Sequence, residues 1–465
     1  MSHLSVLRRR PALARATSAL GAAVLLAAGL VPALPAAAAP ASMADGSGVV
    51  VPEGLTPVDG GDTAETAATV TSGRYVDKTA AVEQENIYKF RRTMDGSAVM
   101  FGVTVLDPEH TRRRERLRAV LLVRNPDGSL VVCGRAIYDK EQRARLMPLS
   151  SHAGFSNPKQ ECADADEFFL LVFSNEGSEL PADVPYELDV WEGAPATNLE
   201  ELPPTGYGSA EVYAPGPPEL SVEPGTSMTD APVLAPDDSV HVDLPLGRVS
   251  WFAVPLGFNE ELDAVATVTD EAGSNGGAGV EIRLVSPVGG VVSVGELDTD
   301  RHQPTATLGS APVTVETHGW LVSPRSRTDY KATDYFSSEA PLTAEPGLYY
   351  IAVYAGNVTG DEDATLPMTL GPGVKGPTGL YERGKKPVYA GTTTPLPEPT
   401  GAEPVAYDPS EPATAGKSGE PTAADRQDEG TNVAVVAGLA GGAALLVVAG
   451  VVLLVLNRRR QPTTR

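Results

Sequence analysis

The chain has 465 residues and carries 36 Lys and Arg against 60 Asp and Glu, a formal net charge of -24. Eight of the arginines lie in the two ends, so the segment 45–457 carries 28 basic residues against 60 acidic ones. An acidic surface of this kind repels nucleic acid at long range, which excludes a general nucleic-acid-binding role. Because 47 Gly and 41 Pro accompany only 6% aromatic residues, part of the length is expected to be linker.

The N-terminus has the order of regions found in a secretory signal. Arginines at 8–10 precede an apolar run over 20–34, which ends in the small residues of 36–39. That run is too short, and too interrupted by proline, for a stable membrane span. Residues 1–44 are therefore predicted to be a signal peptide, and residues 45–59 a flexible leader.

Residues 60–193 consist of short segments in which apolar and polar residues alternate, separated by turn signals such as Asp95-Gly96. Many short strands with such separators are typical of an antiparallel β-sandwich or barrel, and no stretch here has the period of a long amphipathic helix. The predicted strands are 73–78, 86–92, 99–106, 119–123, 130–133, 168–173 and 186–191.

Two cysteines, Cys133 and Cys162, lie in this first domain and are the only ones in the chain. In an oxidising compartment an isolated pair of cysteines indicates a disulfide. The bridge would close a loop of about 30 residues and contribute about 3 kcal/mol by restricting the unfolded chain.

A basic run interrupts the acidic composition of the first domain. Its candidate binding residues are Arg112, Arg113, Arg114, Arg116 and Arg118. The run could contact an anionic wall polymer, an acidic face of a partner or the second domain, and a solvated loop beside a strand is the alternative. No aromatic residue interleaves with the arginines, so single-stranded nucleic acid is not expected as a ligand.

Residues 194–220 are enriched in Pro and Gly and are predicted to be a linker. The strand pattern resumes over residues 221–371, where we expect a second β-sandwich. Its predicted strands are 239–244, 249–255, 262–269, 280–286, 291–294, 313–317, 320–322 and 349–354.

The two halves share a series of motifs. Residues 86–90 match 249–254, and each half closes with an aromatic strand, at 167–173 and 346–354. The closing segment Pro-Gly-Leu-Tyr-Tyr-Ile-Ala-Val of the second half resembles the bacterial pre-peptidase C-terminal domain, although the first half lacks its Gly-x-Tyr. The resemblance covers about 62–192 and 221–371.

This resemblance implies two jelly-roll modules of a non-catalytic, accessory kind, some of whose relatives bind calcium or polymeric substrates. Tandem copies on a single-span anchor are similar to surface proteins of actinobacterial type. The predicted fold class is all-β: two antiparallel jelly-roll-like β-sandwiches, a disordered Pro-rich stalk and a single C-terminal transmembrane helix.

Motifs for catalysis are missing from the sequence. It has no Gly-x-Ser-x-Gly, His-Glu-x-x-His, Walker or Cys-x-x-Cys pattern, and its histidines are at no ligand spacing. We therefore predict no catalytic residue and no enzyme activity, with an enzyme of unrecognised site as the alternative.

Acidic clusters are the candidates for a metal site, because calcium takes about six to eight oxygen ligands. The first is the pair Asp59 and Asp62. None of the clusters has EF-hand spacing, and charge that solvates an acidic surface is the alternative. No cofactor is predicted, apart from calcium at these clusters. The candidate ligands are Asp164, Asp166 and Glu167 in the first half and Asp361, Glu362 and Asp363 in the second.

The C-terminal part changes composition twice. Residues 372–431 are rich in Pro, Thr and Ala and are predicted to be a disordered stalk. Val433 to Leu456 form an uncharged apolar segment followed by three arginines. A helix of about 20 such residues spans a layer of about 30 Å, so residues 433–456 are predicted to cross the membrane, with 457–465 as a cytoplasmic tail.

Together these features predict a single-pass cell-membrane protein with its ectodomain outside, acting by binding. The expected partner is another exported protein, and no nucleic acid is expected. A wall glycan or polymer is the alternative ligand, for which exposed Trp191, Trp251 or Trp320 would be needed. Trp251 alternates with inward positions in its strand and is expected in the core.

Overall fold

The computed structural model describes a defined part of the chain between residues 51 and 406. Residues 1–50 and 407–465 lie outside it, and with them the predicted signal peptide and the segment 433–456. No helix in the described part is long and apolar enough to cross a membrane. The described ranges are 51–81, 84–106, 116–125, 127–139, 146–150, 160–174, 182–202, 213–268, 277–292, 304–309, 312–319, 321–327, 340–361, 363–376 and 385–406.

The described residues of the first half of the chain form strands and one short helix. Its elements are β1 (Thr56–Pro57), β2 (Ala68–Val70), β3 (Gly73–Lys78), β4 (Glu85–Arg91), β5 (Ala98–Val105), β6 (Arg116–Arg124), β7 (Leu130–Asp139), β8 (Leu146–Ser150), α1 (Gln160–Asp164), β9 (Glu167–Ser174) and β10 (Pro185–Gly193).

The second half follows a 3-10 turn at Leu199–Glu201. Its strands are β11 (Leu220–Ser221), β12 (Val240–Pro245), β13 (Val249–Leu256), β14 (Glu261–Val268), β15 (Gly279–Val285), β16 (Thr305–Thr307), β17 (Val313–His318), β18 (Gly347–Ala355), β19 (Thr365–Lys375) and β20 (Val405–Ala406). In the described part of the second half, 3-10 turns also cover Pro324–Arg327 and Ala340–Thr343.

These strands form four sheets, which we number I to IV. Sheet I has the order β2-β4-β9-β6-β7 and sheet II the order β1-β3-β10-β5-β8. Sheet III is β13-β18-β15-β16 and sheet IV is β17-β14-β19-β12-β11-β20. The all-β, sandwich-like prediction is confirmed, and the ladders are antiparallel except for the short pairs β1/β3, β2/β4 and β11/β12.

The strand orders show that the second half repeats the first. Read in order, β1, β3, β10, β5 and β8 of sheet II correspond to β11, β12, β19, β14 and β17 of sheet IV. In the same way β4, β9, β6 and β7 of sheet I correspond to β13, β18, β15 and β16 of sheet III. The sequence similarity between the halves therefore reflects one fold used twice.

Each pair of sheets encloses an apolar core. In the first sandwich Phe90 and Phe168 of sheet I pack against Phe101 and Leu188 of sheet II, and the Phe90 and Phe101 rings meet edge to face at 6.0 Å. Fully burying a side chain of this size contributes about 1.5 to 3 kcal/mol. The same arrangement in the second sandwich joins sheets III and IV.

Sheet II has both faces covered. Every residue of β5 and β10 is buried, because one face packs on sheet I and the other meets the second sandwich. Met100 and Trp191 belong to the apolar cluster of the second sandwich, and a side chain at Gly102 would collide with the Val288 carbonyl. The four sheets are thus layered in the order I, II, III, IV.

The prediction that the second sandwich ends at residue 371 is wrong. β19 continues to Lys375 and lies between β14 and β12 in sheet IV. Its Pro and Gly content concealed it, since both residue types normally weaken a central strand. Gly371 and Gly373 are required because Pro215 packs where a side chain at Gly371 would stand and Tyr213 packs where one at Gly373 would stand.

The prediction of a disordered stalk is wrong for residues 385–406, which we call the strap. The strap runs along both sandwiches and is held by backbone hydrogen bonds. Thr197 N donates to Val388 O at 2.7 Å, and Ala390 N to Pro195 O at 2.9 Å. Because these bonds come from other segments, a sequence without a core of its own is ordered here. Residues 407–431 of the predicted stalk lie outside the described part.

Two predicted strands do not form within the described residues. Val291 makes a single bridge to Val285, and Val292 is buried without a ladder. Leu321 and Val322 are also buried outside any strand. These apolar residues line the core from connecting segments, which period-2 patterns do not distinguish from strands.

Candidate functional site

The predicted binding arginines fall at the start of β6. Arg116 is its first residue, and Arg118 is half-buried, opposite Phe173 of β9. Arg112, Arg113 and Arg114 lie outside the described residues. Of the run, Arg118 is the member whose side chain the structure places, on the strand that also carries Arg124.

The acidic candidates lie at two separate turns. Asp164 ends α1, and Asp166 and Glu167 lead into β9. Asp361 and Asp363 precede β19, where Asp363 N donates to Asp361 Oδ1 at 3.2 Å, and Glu362 lies outside the described residues. Within the described ranges no group of three or more His, Cys, Asp or Glu side chains has an arrangement that could hold a metal ion. Calcium binding stays a prediction.

The predicted disulfide is confirmed. Cys133 of β7 is bonded to Cys162 of α1, with their Cα atoms 5.6 Å apart. Both sulfurs lie within the apolar core of the first sandwich. The bond therefore fastens the short helix, and the start of β9 after it, to the edge strand of sheet I.

The outer face of sheet I is apolar, and we call it the sheet I face. β9 has six consecutive apolar residues, so its alternate side chains are apolar on both sides of the sheet. Neighbouring strands add to this patch: Leu122 lies opposite both Phe169 and Val132, and Ile87 lies opposite Leu171. The sheet I face comprises Ile87, Val120, Leu122, Val132, Phe169 and Leu171, with Lys89 and Arg124 at its rim.

This face is partly covered by its own chain. Gly61 pairs with Ile87, and Ala64 and Ala67 pack on the same cluster. Val120 and Leu171 stay half-buried, and the nearby Leu130 is 54% exposed. The face therefore combines a buried centre with apolar side chains that solvent still reaches.

Basic residues border the sheet I face in a chain that is otherwise acidic. The Arg124 guanidinium lies over the Phe169 ring, 5.3 Å from its centroid, with 42% of the side chain exposed. Its distance to Glu65 Oε1 is 3.9 Å, a solvent-exposed pair of small energetic value. Lys89 of β4 lies opposite Phe169 of β9. Apolar surface with a cationic rim is suited to binding an acidic protein surface.

A second polar site lies between the two sandwiches, and we call it the junction. Arg74 of β3 donates to Tyr350 Oη of β18 and, at 3.2 Å, to Thr229 Oγ1. Thr229 in turn donates to Glu187 Oε1 at 2.7 Å. Arg74 also lies 3.7 Å from Glu187 and 3.5 Å from Asp189. One guanidinium therefore faces two carboxyl groups at the boundary of the sandwiches.

The surroundings of the two junction carboxyl groups favour their protonated, neutral forms. Burial raises the pKa of Asp189 well above its usual range, and the neighbouring Glu187 adds to the shift. Burial also raises the pKa of Glu187, against the opposing effect of Arg74. A proton bound by either group would satisfy carboxyl oxygens that otherwise lack a hydrogen-bond donor within the described residues.

Sequence reasoning missed both sites, although one of them left a signal. The unbroken apolar run of β9 contradicts the alternation expected of a strand with one solvated face. In β10, by contrast, Glu187 and Asp189 alternate with Tyr186 and Leu188, which indicates a solvent-exposed acidic face. Only the second sandwich reveals that this face is buried.

No protein-family model matches the chain, and no curated protein matches it. Among solved structures, the chain is similar to the N-terminal CBM22 tandem of Xyn10C from Paenibacillus barcinonensis, at 11% identity over 66% of this chain and 92% of that one, with a TM-score of 0.17. It is also similar to PNGase F, a glycosylasparaginase from Flavobacterium meningosepticum, at 12% identity over 65% of this chain and 100% of that one, with a TM-score of 0.17. Likenesses this low carry no argument, and the class of the protein, a tandem β-sandwich, rests on its own sheets.

Proposed function

We propose that this chain is an exported, membrane-anchored protein that presents two jelly-roll-like sandwiches as one stiff unit and docks another exported protein without catalysis. Export and anchoring are supported by the signal-like residues 1–44 and the apolar segment 433–456. The resemblance to tandem pre-peptidase C-terminal domains supports an accessory role.

The stiffness of the unit is supported by three contacts between its parts. The second sandwich's apolar cluster includes Met100 and Trp191 of the first. The junction ties Arg74 to Tyr350. The strap hydrogen-bonds the linker through Val388 and a turn of the second sandwich through Thr400, whose N–H donates to Thr229 O at 2.8 Å. A rigid protein loses little conformational entropy when it binds a partner.

The sheet I face is the observation that carries the docking role. It unites solvent-reached apolar side chains with the cations of Lys89 and Arg124, in a segment with 60 acidic residues against 28 basic ones. A cationic rim on an acidic protein steers an acidic partner to this face and away from the rest of the surface.

The polymer-binding alternative loses two of its three candidate aromatic rings. Glycan platforms need exposed planar rings, but Trp191 and Trp251 are each only 3% exposed. The burial of Trp251 was predicted from its alternation and is confirmed. Trp320 lies outside the described residues.

Photocrosslinking of the full chain in the cells that produce it tests the docking role. A photoreactive amino acid replaces Val120 on the sheet I face or, as the control, Val358, which is 59% exposed on the second sandwich. We expect a discrete crosslinked product from position 120 and none from 358. Equal labelling at both positions, or no product from 120, would overturn the proposal.

Charge reversal supplies the matched variants. Lys89→Glu combined with Arg124→Glu is expected to lower the yield of that product about tenfold, since rim charges steer association. Arg248→Glu makes the same kind of change at an exposed position between β12 and β13 and is expected to leave the yield unchanged.

A further inference from the structure

The sheet I face has a counterpart in the second sandwich, which we call the sheet III face. In sheet I, Ile87 pairs with Leu171; in sheet III, Trp251 pairs with Ala352 at the same place in the ladder. Leu122 opposite Phe169 likewise corresponds to Val285 opposite Tyr350. The outer apolar clusters of the two sandwiches are therefore equivalent surfaces of one repeated fold.

The covering turns are equivalent too. Gly61 bridges Ile87, and Gly225 bridges Trp251. A side chain at either glycine would collide with the backbone of the turn that comes after it. The two faces thus share their strands and their covering turns. They differ in whether another sheet packs on top of the turn.

The sheet III face is occupied by the outer face of sheet II. Arg74 stacks on Tyr350 with its guanidinium carbon 5.6 Å from the ring centroid, and Thr229 of the covering turn binds Glu187. Within the described residues, the sheet III face is the one of the two equivalent faces that another sheet covers. The covering sheet belongs to the other sandwich and presents carboxyl groups.

The cation at the centre of the contact is already present on the sheet I face. Arg124 lies over Phe169 just as Arg74 lies over Tyr350, at 5.3 Å and 5.6 Å. Arg74, however, is brought by the covering sheet, whereas Arg124 belongs to β6 of sheet I itself. An incoming sheet therefore needs only the carboxyl groups, which would meet Arg124 and Lys89.

A second copy of this chain is a poor occupant. Its sheet II is already covered by sheet III, and the chain covers part of its sheet IV, where Pro215 and Tyr213 pack on Gly371 and Gly373 and Ser239 Oγ donates to Gly216 O at 2.7 Å. Two sheet I faces packed on each other would bring like charges together, which is unfavourable.

We propose, building on the docking role proposed above, that the partner on the sheet I face is a β-sandwich of a different protein, seated by the outer face of a sheet that carries Asp or Glu side chains. The contact repeats the packing of sheet II on sheet III. The partner adds a further layer beyond sheet I, in the manner of stacked repeat proteins whose exposed ends are completed by another unit.

Mapping the crosslinked residues of the product from position 120 tests the partner class. We expect them to lie in a strand of a β-sandwich domain of another protein, within reach of an Asp or Glu on the same sheet face. Attachment to a helix, to wall polymer or to a second copy of this chain would overturn the inference and leave face-specific docking intact. Absence of any face-specific product would instead overturn the docking role itself.

A charge exchange decides whether the carboxyl groups carry the contact. In cells with Lys89→Glu and Arg124→Glu, replacing the mapped partner carboxyl residues by Lys is expected to recover most of the tenfold loss. An exchange that recovers nothing, while both variants keep the thermal midpoints of their parents, would overturn the acidic-sheet assignment. Arg248→Glu serves again as the charge control.

Discussion

Arg74 and Tyr350 are 276 positions apart in the chain and join its two sandwiches by a hydrogen bond and by stacking of the guanidinium on the ring. Both side chains are buried, and two carboxyl groups, Glu187 and Asp189, lie on the same side of sheet II as Arg74. The contact between the sandwiches is therefore chemically specific, since apolar packing alone does not position a buried cation.

Removing the cation should destabilise the folded protein strongly. In Arg74→Met, Glu187 and Asp189 would lose their opposite charge while remaining buried, and breaking a buried ion pair in this way costs about 3 to 5 kcal/mol. Urea unfolding at neutral pH measures the loss. A cost below about 1 kcal/mol would contradict the importance of Arg74.

The control for this variant removes the carboxylates as well. Arg74→Met combined with Glu187→Gln and Asp189→Asn leaves no net charge at the junction, so most of the lost stability should return, because a neutral pair of similar shape carries a smaller desolvation cost. The difference between the single and the triple variant separates the charge effect from lost packing.

Stability should fall as the pH rises above the ordinary carboxyl range. Burial raises the folded-state pKa of Asp189 and Glu187, so the folded protein binds more protons than the unfolded chain does. Their contribution is complete below the unfolded pKa values and is lost as the pH passes through the raised ones. Thermal midpoints measured from roughly pH 5 to roughly pH 8 should therefore decline.

A single amide substitution isolates the junction from other carboxyl groups. Burial also raises the pKa of Asp77 in the first sandwich, which acts in the same direction. Asp189→Asn should reduce the slope of the midpoint with pH, whereas Asp363→Asn, at an exposed turn, should preserve it. A slope that is unchanged in Asp189→Asn would show that the junction carboxyl groups do not titrate in this window.

Strand positions could be predicted from the sequence where alternation and turn residues agree. β3 begins and ends at the predicted residues, and most of the other predicted strands overlap observed ones. β19 was missed because its Pro and Gly residues are typical of strand ends, although Gly371 and Gly373 make room for Tyr213. Identifying β19 requires knowing which segment packs on it, and that segment is distant in the sequence.

The same limit explains the strap and the junction. Pro-rich composition shows that residues 385–406 have no core of their own, but not that Pro195 and Thr229 offer them hydrogen-bond partners. Glu187 and Asp189 obey the alternation of a solvated strand while being buried. Alternation of polar and apolar residues fails to predict exposure here because another part of the protein, and not water, contacts the polar face. Buried polar groups of this kind are expected at functional or strained sites.

Loss of the disulfide should destabilise the first sandwich. Cys133 and Cys162 are separated by 29 positions, and a loop of this length contributes about 3 to 4 kcal/mol through restriction of the unfolded chain. The double variant Cys133→Ser and Cys162→Ser should unfold at correspondingly lower denaturant. Wild-type protein unfolded with reductant present should match it, and a reductant effect that persists in the variant would contradict the assignment.

Detaching the strap should expose it to protease without unfolding the sandwiches. Gly401 lies against the backbone of Ala231 and Pro232, so Gly401→Val forces the strap away from the hydrogen bond between Thr400 and Thr229. Cleavage within residues 396–403 by a protease of broad specificity should then accelerate about tenfold, because cleavage follows the population of the locally opened state.

The matched control is Gly309→Val, since a side chain at Gly309 meets no atom within 4 Å. It should leave strap cleavage at the wild-type rate. If Gly401→Val also keeps that rate while its thermal midpoint equals that of wild type, the strap is not held at Gly401. If strap cleavage accelerates in step with cleavage throughout the sandwiches, the strap opens only by global unfolding, and its attachment is part of the fold's single cooperative unit.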